Sequence, residues 1–344
     1  MTASVTASAL VGGAGRDPLL DEDGQVVQPL LTIDLDDQVD DAGRALASAR
    51  TIDRVMVGFA SGPVTGPARE LARALDVTLV PKGASSGREF VGCEEPASEA
   101  ALLRAAASAN PQAAVVLAEV LRAGGEDVTA GLHLESFAYS TLLGGSEFAS
   151  WLDERGTRPL PPPAAEPVLV ERAAGRLLIT LNRPERRNAY GRLVRDSLVE
   201  ALQIAALDDS VEQVVLTGGG PSFSAGGDLD EFGTAPDLTT AHFVRTFGGA
   251  GRLLHQLSDR VEARLNGHCV GAGIELPAFA GRVVAAPGAT FRLPEVSMGL
   301  IPGAGGTVSV PRRIGRWRTM FMALSGRPLD VQTAKTWGLI DEIE

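Results

Sequence analysis

The stretch FRLPEVSMGLIPGAGGT at 291–307 is the most informative part of this 344-residue chain, because a Pro-Glu dipeptide with its acidic side chain is followed by a glycine-rich turn. Two other glycine-rich stretches precede it, FSAGGDLDEF at 223–232 and NGHCVGAGIEL at 266–276. Each of these two predicts a glycine loop that leads from a strand or turn into a helix. Two helix starts of this kind can direct backbone N–H groups at one oxygen and stabilise charge that develops there.

In the first of these loops Asp228 is placed to cap a helix, with Glu231 three residues later as in a capping box. The N–H groups of Gly226 and Gly227 are then free to point at a ligand. Taken alone, a single glycine loop is better explained as a simple tight turn. The function therefore has to be argued from the three loops together.

The chain resembles the crotonase (enoyl-CoA hydratase/isomerase) superfamily over roughly residues 165–344. Five segments follow the family's order and spacing: the three above, LNRPERRNAY at 181–190 and TAKTWGLIDEI at 333–343. The resemblance implies an α/β fold with that family's ββα spiral core, to which an N-terminal strand-helix unit and lid helices are added. It also implies an acyl thioester of coenzyme A as the ligand.

In this family hydratases carry two catalytic glutamates, whereas isomerases commonly keep only the later one. Both positions are acidic here, as Glu275 and Glu295. The resemblance implies that Glu275 is the base for the attacking water and Glu295 the proton donor to Cα. Hydration needs both an acid and a base, and two carboxylates beside one water disfavour joint ionisation. The alternatives are a solvated helix residue for Glu275 and a buried, ion-paired residue for Glu295.

The remaining site residues are carried over by position from the family. The oxyanion donors are the N–H groups of Gly227 and Ala272, and Ala272 stands where a glycine is frequent, so its methyl group narrows the access of the acyl chain. The substrate-binding residues are Arg183, Arg186, Arg187, Ala189, Ala225, Gly226 and Gly303. The arginines suit the phosphates of coenzyme A, although each of them also fits a solvated run of surface charge.

Composition marks a Pro-rich linker over 157–167. The resemblance then implies a degenerate crotonase-like half over 29–156 and a catalytic core over 168–344, with a loose tail expected over 1–28. The chain passes from strand to helix to apolar strand twice, once from LLTIDL at 30–35 and again from LLITLN at 177–182. This repeated order suggests an internal duplication.

The covering helices of the core are expected upstream of it. Family members continue past the GLIDEI segment into helices that cover the acyl pocket. Residues 98–154 resemble those helices. We therefore expect residues 98–154 to close the site, within one chain or across a subunit contact.

The composition restricts the classes of partner. A net charge of −12 with 44% hydrophobic residues favours a globular protein and argues against nucleic acid or an anionic membrane as the partner. The first twenty residues lack the pattern of a secretory signal, and two cysteines make no disulfide framework, so a cytoplasmic location is expected. The four histidines are scattered, which predicts no metal site. No cofactor is expected beyond coenzyme A, which is part of the substrate.

The sequence thus predicts an enoyl-CoA hydratase that binds an acyl-CoA thioester. The family's habit implies a homo-oligomer, a trimer or a hexamer. The alternatives are an isomerase or acyl-CoA hydrolase of the same superfamily and a non-catalytic CoA-binding scaffold subunit.

Overall fold

The computed structural model describes residues 4–37 and 41–344. These residues form two compact units. Of the described residues, the first unit comprises 4–37 and 41–123 with Ile314–Ser325, and the second comprises Gly124–Arg313 with Gly326–Glu344. This division differs from the one drawn from composition, because residues 124–167 belong to the second unit.

The strands are numbered in chain order. They are β1 Val5–Thr6, β2 Leu30–Asp34, β3 Val55–Phe59, β4 Val77–Pro81, β5 Phe90–Cys93, β6 Val168–Ala173, β7 Arg176–Leu181, β8 Gln213–Gly218, β9 Val261–Leu265, β10 His268–Val270, β11 Arg282–Ala285, β12 Thr290–Arg292, β13 Leu329–Asp330 and β14 Glu342–Ile343.

The helices are numbered in the same way. They are α1 Ala7–Val11, α2 Ala42–Ala49, α3 Gly66–Ala74, α4 Pro96–Ala109, α5 Pro111–Ala123, α6 Val128–Leu143, α7 Ser146–Arg155, α8 Arg192–Leu207, α9 Leu238–Gly248, α10 Gly251–Gln256, α11 Ala272–Glu275, α12 Gly306–Ile314, α13 Arg316–Ser325 and α14 Val331–Trp337.

The first unit contains a parallel sheet in the order β1-β2-β3-β4-β5. The expected loose tail over 1–28 is ordered where the structure describes it; residues 1–3 lie outside the described part. Ala7 and Leu10 of α1 are buried in the core with Ile33, so apolar burial holds this segment in place. The guanidinium of Arg54 donates to the carbonyl oxygens of Gly15, Asp17 and Pro18. These carbonyl groups of the loop after α1 thereby have hydrogen-bond partners.

The second unit contains a six-stranded sheet in the order β14-β11-β9-β8-β7-β6 and a three-stranded sheet in the order β10-β12-β13. Strands β6 and β7 form an antiparallel hairpin, and Gly175 turns between them at φ 77°. On β7 the alternating residues Leu177, Ile179 and Leu181 are buried, as the period of a half-buried strand requires.

The two strand-helix-strand segments compared in the sequence have the same local topology. β2 and β3 pair in parallel with α2 between them in the chain, and β7 and β8 pair in parallel with α8 between them. A parallel pair needs such a crossover connection. Their common ancestry remains a hypothesis.

The predicted helical segment from 98 to 154 is helical, as α4 to α7. Its members divide between the units, since α4 and α5 belong to the first unit and α6 and α7 to the second. Across residues 157–167 the chain has no regular secondary structure, as expected for the proline run. Within the described ranges, no helix combines the length and apolar character that crossing a bilayer requires.

Candidate active site

The second unit encloses a cavity of about 820 Å³. Its wall includes parts of α6, α7, the start of α8, the segment 227–252, α11 and the turn 303–305. Of the predicted site residues, the cavity is lined by Gly227, Ala272, Glu275, Glu295 and Gly303. Residues 98–154 were expected to cover this site, and the part that does so is α6 and α7.

Gly227 is held in the first glycine loop by its two neighbours. Tyr190 N–H donates to the carbonyl of Gly226 at 2.7 Å, and Asp228 N–H donates to the carbonyl of Tyr190 at 3.3 Å. Since alternate residues of a bridge point their N–H groups to opposite sides, that of Gly227 faces away from Tyr190. Within the described residues it donates to no protein acceptor.

The capping box expected in the first loop does not form. Asp228 caps a single 3₁₀ turn, Leu229–Glu231, by accepting from Asp230 N–H. The carboxylate of Glu231 accepts from the backbone N–H of Arg192 at 2.7 Å and is therefore unavailable to the cap. The next helix, α9, has its own cap in Asp237.

Ala272 begins α11, so its N–H is one of the unpaired donors of a helix N-terminus. The residue before it, Gly271, lies at φ 48° and ψ −121°, a conformation open essentially to glycine alone. The expected apolar helix is short, because α11 ends at Glu275 and a 3₁₀ turn follows at Pro277–Phe279. Proline lacks an N–H donor, which prevents the α-helix from continuing.

Glu275 is 2% exposed, so it is not a solvated helix residue. Its Oε2 accepts the backbone N–H groups of Ala304 at 2.7 Å and Gly306 at 2.9 Å. Its Oε1 accepts no hydrogen bond from the described residues. One oxygen is thus fixed by the protein, and the other is left to face a ligand.

Glu295 is 7% exposed and lies at the start of the 3₁₀ turn Glu295–Met298. No ion pair to it is present among the described residues, which excludes the ion-paired alternative, and its buried Oε2 has no hydrogen-bond partner there. A Cβ added to Gly271 would lie 2.5 Å from Glu295 Oε1 and 3.6 Å from Glu275 Oε1. Both carboxyl groups therefore face the same space beside Gly271.

A third buried carboxyl group, Glu135 on α6, lies in the same cavity wall and was missed in the sequence. Its oxygens accept the N–H groups of Gly305 at 2.7 Å and Thr307 at 2.8 Å and the hydroxyl of Thr307 at 2.7 Å. Its spacing from apolar residues of the same helix is the sequence feature that could have identified it. Glu135 lies three residues after Leu132 and four before Tyr139, which places a carboxylate on an apolar helix face.

Burial dominates the electrostatics of all three groups, because a low-dielectric site disfavours the charged form. Burial raises the pKa of Glu135 to about 7, against the hydrogen bonds from Thr307 and Gly305. Burial also raises the pKa of Glu295 to about 8. The pKa of Glu275 is raised well above its usual value by burial and by the charges of Glu295 and Glu135. Three such groups cannot all be ionised near neutral pH.

The arginines of the 181–190 segment lie outside the cavity lining. Arg186 is bound to Asp228 and Asp230, with oxygen contacts of 2.7 and 2.8 Å from its Nη2. Arg183 is buried and contacts Glu185, whereas Arg187 is exposed. The role of the three arginines toward coenzyme A remains a prediction.

The small residues predicted beside the substrate occupy different places. Ala189, Ala225 and Gly226 are absent from the cavity lining, and the N–H of Ala225 donates to the carbonyl of Arg187. Gly303 lies in the wall, where an added Cβ would meet the Tyr139 ring at 2.3 Å. Their substrate-binding role also remains a prediction.

Within residues 4–37 and 41–344, no group of three or more His, Cys, Asp or Glu side chains is arranged to hold a metal ion. Cys269 is completely buried beside the second glycine loop. Burial raises the pKa of its thiol, so the reactive thiolate is disfavoured.

The comparisons with known proteins agree on one family. The family model described as enoyl-CoA hydratase/isomerase matches residues 171–344. A 2,3-dehydroadipyl-CoA hydratase of Escherichia coli is 37% identical, over 51% of this chain and 68% of its own length. A 1,2-epoxyphenylacetyl-CoA isomerase of the same organism is 38% identical, over 49% of this chain and 66% of its own.

Two further relatives extend the comparison. A mitochondrial enoyl-CoA hydratase of Pongo abelii is 37% identical, over 48% of this chain and 57% of its own length. The crystal structure of an enoyl-CoA hydratase from Thermoplasma volcanium is 32% identical, with a TM-score of 0.46 over 52% of this chain and 72% of its own. Because the family model covers half of the chain and the motif residues converge on one cavity, the chain belongs to the enoyl-CoA hydratase/isomerase family.

Proposed function

We propose that this chain is an enoyl-CoA hydratase, which adds water to a 2-enoyl-CoA thioester by acid/base catalysis from two glutamates. One observation supports this most strongly. Glu275, Glu295, Gly227 and Ala272 line a single cavity. The site thus contains two carboxyl groups for proton transfer and two donors for a thioester oxygen.

The reaction uses each of these groups once. The thioester oxygen accepts hydrogen bonds from Gly227 and Ala272. Glu275 takes a proton from water as the water oxygen bonds to Cβ, and the electrons of the double bond move to the thioester oxygen as an enolate. The enolate then collapses as Cα takes a proton from Glu295. The proton held by Glu275 returns to Glu295 before the next turnover.

The hydrogen bonds support this division of roles. Glu275 Oε2 accepts two backbone N–H groups, which favours the ionised form that a base requires. Glu295 Oε2 is buried without a partner among the described residues. An unpaired carboxylate oxygen in such a site is costly, so the protonated form of Glu295 is favoured and can donate to the substrate.

A second activity of the same family is isomerisation, and the 1,2-epoxyphenylacetyl-CoA isomerase is as similar to this chain as the hydratase is. Moving a double bond requires a base that removes one proton and returns it elsewhere, which one carboxylate can do. The second carboxyl group beside Gly271 favours hydration.

The direct test uses the full chain with crotonyl-CoA and longer 2-enoyl-CoA substrates. Hydration removes the absorbance of the conjugated enoyl thioester, and mass spectrometry detects the gain of one water. An isomerase instead interconverts 3-enoyl and 2-enoyl thioesters without a change in mass, and a hydrolase releases free coenzyme A. The absence of turnover at every chain length would support the non-catalytic scaffold.

The assembly and location are also proposed from the family. We expect a homo-oligomer, a trimer or a hexamer, in the cytoplasm, with the acyl-CoA substrate as its small-molecule partner. Sedimentation velocity on the purified chain measures the oligomeric state directly.

A further inference from the structure

We infer that Glu135 is a positioning residue, which holds the turn 303–307 so that its N–H groups fix Oε2 of Glu275 and thereby orient the catalytic carboxyl group. The inference rests on the proposed function for the role of Glu275. The contacts of Glu135 themselves are independent of it. Glu135 lies upstream of the family-model match, which begins at residue 171.

The hydrogen bonds of the turn alternate between two carboxylates. The N–H groups of Ala304 and Gly306 donate to Glu275, and those of Gly305 and Thr307 donate to Glu135. Four consecutive peptide groups are thereby oriented by two acceptors on opposite sides of the chain. Without Glu135, two of these N–H groups and the Thr307 hydroxyl lose their acceptor, and only the two hydrogen bonds to Glu275 still orient the turn.

The position of the turn explains why acidic acceptors suit it. The turn leads into α12, Gly306–Ile314, whose first N–H groups have no partner within the helix. Carboxylates are favoured at a helix N-terminus by the helix dipole. Glu135 therefore has an electrostatic reason to be ionised, although it is 2% exposed.

Glu135 also acts on its neighbours through its charge. Its charge raises the pKa of both Glu275 and Glu295. The opposing charge is Arg245 on α9, which favours the ionised form of Glu135. Tyr139 on the same helix also faces this group of carboxyls, and burial keeps its phenol protonated by raising its pKa. His242 on α9 contacts the neighbouring Ser136.

The test is the full chain with Glu135→Gln, assayed for hydration of crotonyl-CoA across a range of pH. The amide keeps the volume of the side chain, but its NH₂ group faces donors where the carboxylate accepted. We expect kcat to fall about 10²-fold, the loss typical of a displacement of about 1 Å in a catalytic group. We also expect KM to change by less than about twofold, because both oxygens of Glu135 already accept hydrogen bonds from the turn.

The pH profile separates positioning from a merely structural role. Removing the charge of Glu135 lowers the pKa of the base Glu275 and of the acid Glu295, so both limbs of the profile move to lower pH. A lower rate with both limbs unmoved would overturn the inference. Thr307→Val is the milder variant for the case that Glu135→Gln does not fold. It removes only the hydroxyl contact, and we expect a smaller shift in the same direction.

The matched control is Glu262→Gln. Glu262 is a buried carboxylate of the same unit, bound to Arg264 and Arg282 and outside the cavity lining. This variant removes a buried charge and two ion pairs, and we expect both limbs of its pH profile to stay where they are in the parent protein.

An activity-independent readout distinguishes this inference from the proposed function. Infrared titration follows the C=O stretch of buried carboxylic acids in the substrate-free protein. In Glu135→Gln one component disappears and the remaining carboxyls titrate at lower pH. If the parent protein hydrates no enoyl-CoA, the proposed function fails, and this titration still decides the role of Glu135. An unshifted titration of the other carboxyls contradicts the inference.

Discussion

Replacing Glu275 by glutamine tests the proposed mechanism with the smallest change in shape. The amide oxygen can accept the same N–H groups of Ala304 and Gly306 that Oε2 accepts at 2.7 and 2.9 Å. The NH₂ group takes the place of Oε1, which has no partner among the described residues. The variant therefore keeps the turn and the cavity wall and removes only the base.

The expected loss follows from the role of a general base. Such a group contributes about 10²–10⁴ to the rate. Because the geometry of Glu275→Gln is retained and the base is removed entirely, we expect kcat/KM to fall about 10³-fold. That loss corresponds to about 4 kcal/mol in the barrier at about 1.36 kcal/mol for each tenfold. The folded state should be at least as stable near pH 8, since a buried carboxylate is replaced by a neutral group.

The assay follows the disappearance of enoyl-thioester absorbance, with thermal melting of the same samples as the check on folding. Glu262→Gln serves again as the control for loss of a buried carboxylate. If Glu275→Gln retains more than about a tenth of the parent kcat/KM, the water is activated by another group and the reasoning is refuted.

Three other predictions follow from the same site. Burial raises the pKa of Glu295 from 4.5 to about 8. The stability that its bound proton contributes is therefore fully present below pH 4.5 and is lost as the pH rises through 8. We expect Glu295→Gln to melt at a higher temperature than the parent at pH 9 and at the same temperature near pH 4. Gly271→Ala places a methyl group 2.5 Å from Glu295 Oε1, at a backbone φ of 48° that disfavours alanine. We expect the rate of hydration to fall about 10²-fold and the free energy of unfolding, measured by chemical denaturation, to fall by about 1–3 kcal/mol. Parent values for both quantities would contradict the geometry. A fragment of residues 160–344 lacks α6 and α7, which wall the cavity, and should be insoluble or inactive; a soluble fragment with full activity would show that these helices are dispensable.

Much of the second unit could be predicted from the sequence because its signals are local. The hairpin around Gly175 follows from strand alternation and a turn residue, and α8, Arg192–Leu207, follows from the helical spacing of its apolar residues. The convergence of Glu275, Glu295, Gly227 and Ala272 on one cavity was expected from the order of the family's segments.

The features that the sequence did not predict depend on contacts between distant residues. Glu135 is 170 residues from Gly305 in the chain, and no local pattern links them. Glu231 has the spacing of a capping box, but a tertiary contact with Arg192 takes its carboxylate. Residues 4–28 are polar and glycine-rich enough to suggest a tail, yet Ala7 and Leu10 are buried.

The ion pairs beside the first glycine loop connect two parts of the second unit. Asp230 is bound both by Arg186 and by Arg155, at the last turn of α7, with a contact of 2.6 Å to Arg155. Asp228, which follows Gly227 directly, is bound by Arg186 as well. A displacement of α7 would therefore pull on the same ion pairs that hold the residue next to Gly227. Under the proposed mechanism, such a displacement would reach the amide that binds the thioester oxygen.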